Sequence, residues 1–219
     1  MGTITRSLSN NITTGGVILP AGITNSSVSA VTSFANASGG GTLVLLSTQT
    51  ASNSATISFT TGLDSTYDEY TFKFINIQPR TDSVDFTFNL STDSGSNYNV
   101  TKTTTSFWSA HDEADTDTQL TYNITHDLAQ STAFQIIMRT IGNGADENGS
   151  GSLQLFNPSS TTYVKHFICR NNYYIADNYS IDFYIAGYGN TTSAVNAIQF
   201  KMSSGNFDGI IKLYGVKKS

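Results

Sequence analysis

The sequence predicts an all-β fold, an antiparallel β-sandwich of the jelly-roll type with an extended N-terminal arm. Short segments in which apolar and polar residues alternate with period two follow one another from residue 43 to the end of the chain. The turns between them are rich in Gly, Asn, Asp and Ser. Many short strands at even spacing, without a convincing helix, are typical of an antiparallel sandwich or barrel.

The composition supports the same fold class. Charged residues make up only 12% of the 219 residues, and Tyr and Phe supply nearly all of the aromatic 11%. The β-branched Thr and the aromatic Tyr and Phe fit a pleated, half-buried surface, whereas good helix formers rarely cluster in this chain. The length suits one large β domain, or a medium domain with an arm.

Residues 1–42 differ from the rest of the chain. Weakly apolar pieces such as Val17-Ile18-Leu19-Pro20 lie between Gly15-Gly16 and the run Gly39-Gly40-Gly41. This pattern predicts an anchoring arm with a Gly-rich joint over 1–42, followed by a β-sandwich domain over 43–219. A neighbouring subunit can accept such an arm by strand addition. The predicted anchoring residues are Ile12, Val17, Ile18 and Leu19.

In the first half of the domain, alternation predicts strands over 43–46, 55–59, 70–77 and 84–90. Pro79 cannot donate a hydrogen bond to a sheet, so it marks the end of the third of these strands. The turn-rich segment 91–98 leads into an extended segment that reaches Trp108.

The second half contains one ambiguous segment. Residues 129–141 are apolar without strict alternation, which leaves a buried strand and a short helix both open, and Leu128-Ala129-Gln130 fits one helical turn. Asn157-Pro158 and Asn171-Asn172 predict turns. The remaining alternating segments predict strands over 152–156, 163–170, 180–188, 197–202 and 209–216.

Charge and hydropathy exclude two classes of partner. The formal net charge is -5 and the pI is about 4.9, whereas nucleic-acid affinity is built mainly from Lys and Arg. No window approaches about 18 consecutive apolar residues, and the N-terminus lacks the pattern of a secretory signal. We therefore expect synthesis and folding in a cytoplasm, with no nucleic-acid binding and no membrane insertion.

The thiol and imidazole groups predict no metal or catalytic site. Cys169 is the single cysteine and lies in an apolar run, so we expect a small buried side chain rather than a reactive thiol. His111, His126 and His166 are far apart and lack the spacing of zinc ligands. His166 alternates with apolar neighbours, which predicts a position on the face of a sheet.

The densest ionisable cluster covers residues 111–117. Glu113, Asp115 and Asp117 could share a calcium ion, because calcium takes clustered carboxylate oxygens. No glycine or distal glutamate of an EF-hand follows, so we favour a solvated acidic loop and expect no cofactor. A polysaccharide depolymerase would need Glu113 and Asp115 as a working carboxylate pair. No Gly-x-Ser-x-Gly or phosphate-binding Gly-rich motif occurs, and we predict a non-enzymatic protein.

Aromatic residues near predicted loops and strand ends suggest a binding site of another kind. Phe107, Trp108, Tyr173 and Tyr174 could stack on the sugar rings of a glycan. The alternative is that these rings fill the core or a subunit interface, where Tyr and Trp are enriched because each combines a large apolar area with a polar group.

Several stretches within residues 43–219 carry a resemblance, namely 43–52 with 62–67, 91–105, 158–167, 197–206 and 212–215. These stretches resemble a group of structural proteins encoded by marine tailed bacteriophages, which implies synthesis in the bacterial host cytoplasm. The resemblance implies an exterior virion component, such as a tail fibre, an adhesion module or a capsid decoration, and it brings no catalytic motif. Residues 23–31 are similar to the attachment segments that precede such domains in phage fibres.

These features together predict a homo-oligomeric protein on the exterior of a phage virion, either a capsid decoration or a tail or fibre component. We expect it to bind other virion proteins through residues 1–42 and to function by binding and assembly rather than by catalysis. The alternative, from a different functional class, is a host adhesin that binds a bacterial surface glycan.

Overall fold

The computed structural model describes residues 12–13, 16–17 and 43–217. The chain divides into two units, Met1–Gly40 and Gly41–Ser219. In the first unit, strand β1 (Ile12–Thr13) pairs antiparallel with strand β2 (Gly16–Val17), so that Ile12 is opposite Val17. The other two predicted anchoring residues, Ile18 and Leu19, lie outside the described residues.

The second unit is all-β over its described residues. No helix occurs there, and none that could cross a membrane is found in the described part of the chain. The strands are β3 (Leu43–Ser54), β4 (Thr56–Phe59), β5 (Glu69–Pro79), β6 (Val84–Ser91), β7 (Lys102–Asp112), β8 (Thr118–Tyr122), β9 (Gln135–Ile141), β10 (Gly149–Phe156), β11 (Lys165–Ile175), β12 (Tyr179–Gly189), β13 (Ala197–Met202) and β14 (Phe207–Val216).

These strands form two antiparallel layers. The larger layer has the order β3-β14-β5-β10-β11-β12-β7-β8, and the smaller has the order β9-β6-β13-β4. A single pair, Ile175 opposite Ile141, connects the layers through β11 and β9. The sheet therefore folds over onto itself, and the predicted all-β sandwich of jelly-roll-like type is confirmed.

Phe200 of β13 joins the two layers at the centre of the core. Its ring centroid lies 5.4 Å from that of Phe72 and 5.2 Å from that of Phe74, both on β5 of the larger layer. On its own layer it contacts Phe86 and Phe88 of β6 at 5.9 and 6.4 Å. All five rings are buried. Aromatic pairs at such distances contribute about 0.5–1.5 kcal/mol each beyond the area that they bury.

The ambiguous segment of the second half is resolved in favour of a strand. Residues 135–141 form β9, which pairs with β6. The expected helical turn at 128–130 is wrong, because the backbone groups of Leu128 form hydrogen bonds with β7 instead of with the next turn of a helix. The Thr104 N–H donates to the Leu128 C=O at 2.9 Å, and the Leu128 N–H donates to the Thr104 hydroxyl at 2.8 Å.

Three predictions about single residues are confirmed. Strand β5 ends at Pro79. Cys169 is fully buried, and burial raises the pKa of its thiol to about 12, so the thiol stays protonated at neutral pH. His166 is exposed on the outer face of β11, where its ring packs against Tyr188 with 6.0 Å between centroids.

Two lysines occupy the core, which no sequence pattern predicted. Lys102 Nζ donates hydrogen bonds to Asn89 Oδ1 at 2.5 Å and to the Val100 C=O at 2.9 Å. Lys165 Nζ donates to the carbonyls of Tyr163 and Thr191. All four acceptors are neutral. Burial therefore lowers the pKa of Lys102 to about 7, since none of these partners carries the charge that would offset desolvation.

We expect Lys102 to make the protein more stable as the pH rises from about 7 to about 9. Its pKa falls from 10.5 to about 7 on folding, so in this window the unfolded chain binds more protons than the folded chain. The gain in the free energy of unfolding should be about 2 kcal/mol. Urea unfolding at several pH values measures it, and Lys102→Met should remove most of the slope.

The exposed Lys73 provides the matched control for this experiment. Lys73→Met should keep the pH dependence of the wild type. An equal slope in Lys102→Met and the wild type would contradict the assignment of the effect to this amine.

Candidate functional site

The candidate sites lie on the outer face of the larger layer, over β11, β12, β7 and β8. Strand β11 alternates between buried and exposed residues along its length, as the period-two pattern of its sequence requires. Its continuous pairing with β12, and that of β12 with β7, carries the same alternation across the layer. Every second residue of these strands therefore faces outward.

An aromatic row crosses this face. The register places Arg170, Tyr184, Phe107 and Tyr122 opposite one another on β11, β12, β7 and β8. Phe107 of β7 stacks on Tyr184 of β12 with 4.8 Å between centroids and 4° between planes. From β11, on the other side of β12, the Arg170 guanidinium lies 4.7 Å from the Tyr184 ring centroid. Asp182 accepts hydrogen bonds from Arg170 Nε and Nη2 at 3.0 and 2.7 Å. The Tyr184 ring thus contacts both neighbouring strands, and such cross-strand pairs stabilise a sheet.

The four aromatic residues predicted for glycan binding separate into two pairs. Trp108 and Tyr173 are buried in the core, which agrees with the alternative interpretation of these rings as core residues. The Arg139 guanidinium lies 4.9 Å from the Trp108 ring centroid. Phe107 and Tyr174 face outward. Adjacent residues on a strand point to opposite faces, which is why each sequence pair is divided between core and surface.

Tyr174 lines a polar cleft of about 450 Å³. The cleft lies between the β11–β12 hairpin, the end of β7 and the beginning of β10. Besides Tyr174 it is lined by two amides, three carboxyl groups and an imidazole, which belong to Asn148, Asn172, Asp112, Glu113, Asp146 and His111. The structure thus brings together the acidic segment and the tyrosine pair, which sequence reasoning treated as separate sites.

Hydrogen bonds hold the cleft side chains in position. The Tyr174 hydroxyl donates to Asn178 Oδ1 at 2.7 Å. Asn172 Nδ2 donates to Ser180 Oγ at 3.0 Å and to the Ile181 C=O at 2.9 Å. Desolvation, followed by the negative charges of nearby carboxylates, of which Glu113 is the largest contributor, raises the pKa of Tyr174. The cleft therefore combines a neutral phenol with a negative rim.

Asp112 organises the acidic loop, a role that the sequence analysis missed. Its Oδ1 accepts the backbone N–H groups of Thr116 and Asp117 at 2.9 and 2.8 Å, and its Oδ2 accepts the Thr116 hydroxyl at 2.5 Å. These hydrogen bonds lower the pKa of Asp112, the Thr116 hydroxyl most of all. An Asp that precedes a polar turn is the signal that sequence reasoning had available.

The three carboxylates weighed as calcium ligands have different surroundings. Glu113 lines the cleft. Asp115 contacts His111 Nε2 at 3.1 Å. Asp117 accepts the Tyr179 hydroxyl at 3.1 Å. Among the residues that the structure describes, no group of three His, Cys, Asp or Glu side chains is placed to hold a metal ion.

Strand β8 is the outer edge of the larger layer, and the sequence analysis missed it. Among the described strands it pairs with β7 alone, and all five of its side chains are exposed. Leu120 is 77% exposed, Tyr122 51% and the following Ile124 79%, while the nearby Phe107 is 43% exposed. This apolar edge, defined as Phe107, Leu120, Tyr122 and Ile124, contains four of the eight large apolar side chains that are exposed in the described domain.

No protein family model, no curated protein and no solved structure matches the chain. Fold similarity therefore assigns no activity to it. The geometry of the domain defines two surface features, which are the cleft at Tyr174 and the apolar edge at β8.

Proposed function

We propose that the chain is a non-enzymatic structural protein on the exterior of a tailed-phage virion, either a capsid decoration or a tail or fibre component. Residues 1–42 attach it to other virion proteins, and the β-sandwich domain joins copies of the chain to one another. The resemblance of residues 43–219 to structural proteins of marine tailed phages supports the assignment to a phage virion.

The apolar edge at β8 is the observation that carries this proposal. Clustered exposed apolar side chains are characteristic of surfaces that contact other proteins. An edge strand also presents backbone N–H and C=O groups that can pair with another chain. A domain that keeps both features at one place is suited to assembly.

The charge of the chain supports an exterior position. With a net charge of -5, its surface is repelled by the phosphates of packaged nucleic acid.

The contacts of the acidic loop support a non-enzymatic role. Asp112 accepts hydrogen bonds that close a turn, and Asp115 contacts His111. Such contacts suit a binding surface rather than a working pair of catalytic carboxylates.

Immunogold labelling of intact particles of the phage that encodes the chain tests the location. We expect label on the outside of the head or the tail, because the domain faces outward. A full-length variant with Ile12, Val17, Ile18 and Leu19 changed to Ser should lose rebinding to particles stripped of the protein, because these four apolar residues are the proposed anchors.

The matched control changes Ile4 and Leu8 to Ser, two apolar residues of the same segment that lie outside the proposed anchoring residues and outside 23–31. This control should rebind as the wild type does. Absence of label from intact particles, with the protein present inside them or only in the lysate, would overturn the exterior position.

A glycan-binding host adhesin is the second candidate function, and the cleft at Tyr174 favours it. Sugar sites combine an aromatic ring, which contacts the apolar face of a sugar, with amides and carboxylates that bond to hydroxyl groups. Tyr174 lies beside Asn148 and Asn172 in this arrangement. The carboxylates of Glu113 and Asp146 would repel acidic sugars, so neutral or amino sugars fit the cleft.

An array of bacterial surface glycans tests this second function. We expect binding to neutral or amino-sugar polymers that weakens by roughly tenfold or more in Tyr174→Ala, because the ring supplies the stacking surface. Tyr163→Ala is the matched control, since Tyr163 is exposed but lies outside the cleft. Equal binding by the wild type and Tyr174→Ala would exclude the cleft as the glycan site.

A further inference from the structure

We propose that β8 pairs antiparallel with β8 of a second copy of the chain, around a two-fold axis that passes through Leu120. This inference rests on the proposed self-association and identifies its surface. The pairing would continue the larger layer of one copy into that of the other. It follows from the backbone phase of β8, from its length and from the distribution of charge around it.

Two hydrogen bonds establish the backbone phase of β8, that is, which of its residues direct their backbone N–H and C=O groups toward β7 and which direct them away. At one end the Asn123 N–H donates to the Ser106 C=O at 2.9 Å, and at the other the Asp112 N–H donates to the Asp117 C=O at 3.2 Å. Residues 117 and 123 therefore direct their backbone groups toward β7. In an antiparallel ladder, such bonded pairs alternate with pairs that are not bonded.

The alternation determines which groups of β8 face outward. Gln119 and Thr121 share the phase of residues 117 and 123, so they bond to β7. The backbone N–H and C=O groups of the intervening residues point to the edge, away from β7. These residues are Thr118, Leu120 and Tyr122.

The length of β8 selects one register. The strand has five residues, and its central residue is Leu120. A two-fold axis through Leu120 places this residue opposite itself and places Thr118 opposite Tyr122 of the second copy. Every outward-facing backbone group then meets another, which gives about six hydrogen bonds at two per bonded pair. Any other two-fold register leaves part of the strand without a partner.

Side chains match in the same register. An axis perpendicular to the sheet keeps the outer faces of both copies on one side. Leu120, which is 77% exposed in the single chain, then packs against Leu120 of the second copy. Tyr122 lies beside Thr118 of that copy, and Phe107 of each copy follows on the next strand. The apolar edges of the two copies thus form one surface.

The distribution of charge permits this contact. Strand β8 itself, Thr-Gln-Leu-Thr-Tyr, carries no charged residue and no proline, and its pairing with β7 has no bulge, so the usual protections of an edge are missing from it. The register places Asp117 opposite Asn123 rather than opposite a carboxylate.

The other edge strand of the larger layer, β3, differs from β8 because it contacts the smaller layer. Gln49 Nε2 of β3 donates a hydrogen bond to the Ser58 C=O of β4 at 2.8 Å.

Cysteine cross-linking of the full-length protein tests the register. In Leu120→Cys the two Cα atoms would lie about 5.5 Å apart, within the range of a disulfide. In the adjacent Gln119→Cys, the Cα atoms would be offset by two residues and about 8 Å apart, which is outside that range. Under mild oxidation we expect at least tenfold more disulfide-linked dimer from Leu120→Cys. Cys169 is buried and should not compete.

Sedimentation of Leu120→Lys gives a second, independent readout, because it places two like charges at the axis. We expect this variant to sediment as a smaller species than the wild type, whereas Tyr163→Lys, which alters an exposed residue elsewhere, should not change the wild-type state.

Equal cross-linking of Gln119→Cys and Leu120→Cys, or a wild-type protein that is monomeric at all concentrations, would overturn the pairing. A wild-type oligomer that Leu120→Lys leaves intact would also overturn it, by showing that copies join elsewhere. The particle labelling experiment is independent of these outcomes, so the proposed virion location can fail or stand separately.

Discussion

The packing of Phe200 between the two layers is the contact on which the rest of the structure depends. Its ring touches Phe72 and Phe74 of the larger layer and Phe86 and Phe88 of its own, so it determines how the layers face each other. Removing a buried phenylalanine of this kind costs about 3–5 kcal/mol, a large part of the stability of a typical domain. Because these rings fill the inner face, the alternate residues of strands such as β11 face the surface.

The sequence predicted the parts of the fold that follow from period two. Most strands, the end of β5 at Pro79, the burial of Cys169 and the position of His166 on the face of a sheet all follow from local alternation and backbone chemistry. Long-range pairing is not visible in such patterns. The burial of Lys102 against Asn89 depends on two segments that only the folded chain brings together, and no local signal marks a lysine that is solvated by carbonyl and amide oxygens.

The candidate sites were predictable as residue types but not as places. The acidic segment and Tyr174 were both identified, yet their meeting in one cleft requires the pairing of β7 with β12 and of β12 with β11. Strand β8 was missed because alternation signals a buried face, and β8 has none. The residues that lack a local signal are thus those whose role depends on a neighbour, either within the chain or in a second copy.

We propose that the domain functions by pairing the backbone of β8 with β8 of another copy of the chain. Amide hydrogen exchange, measured residue by residue at low and high protein concentration, tests this pairing. We expect the amides of Gln119 and Thr121 to be protected at both concentrations, whereas those of Thr118, Leu120 and Tyr122 should exchange freely in dilute protein and become protected in concentrated protein. Exchange at these three amides that is independent of concentration, or protection with the opposite alternation, would contradict it.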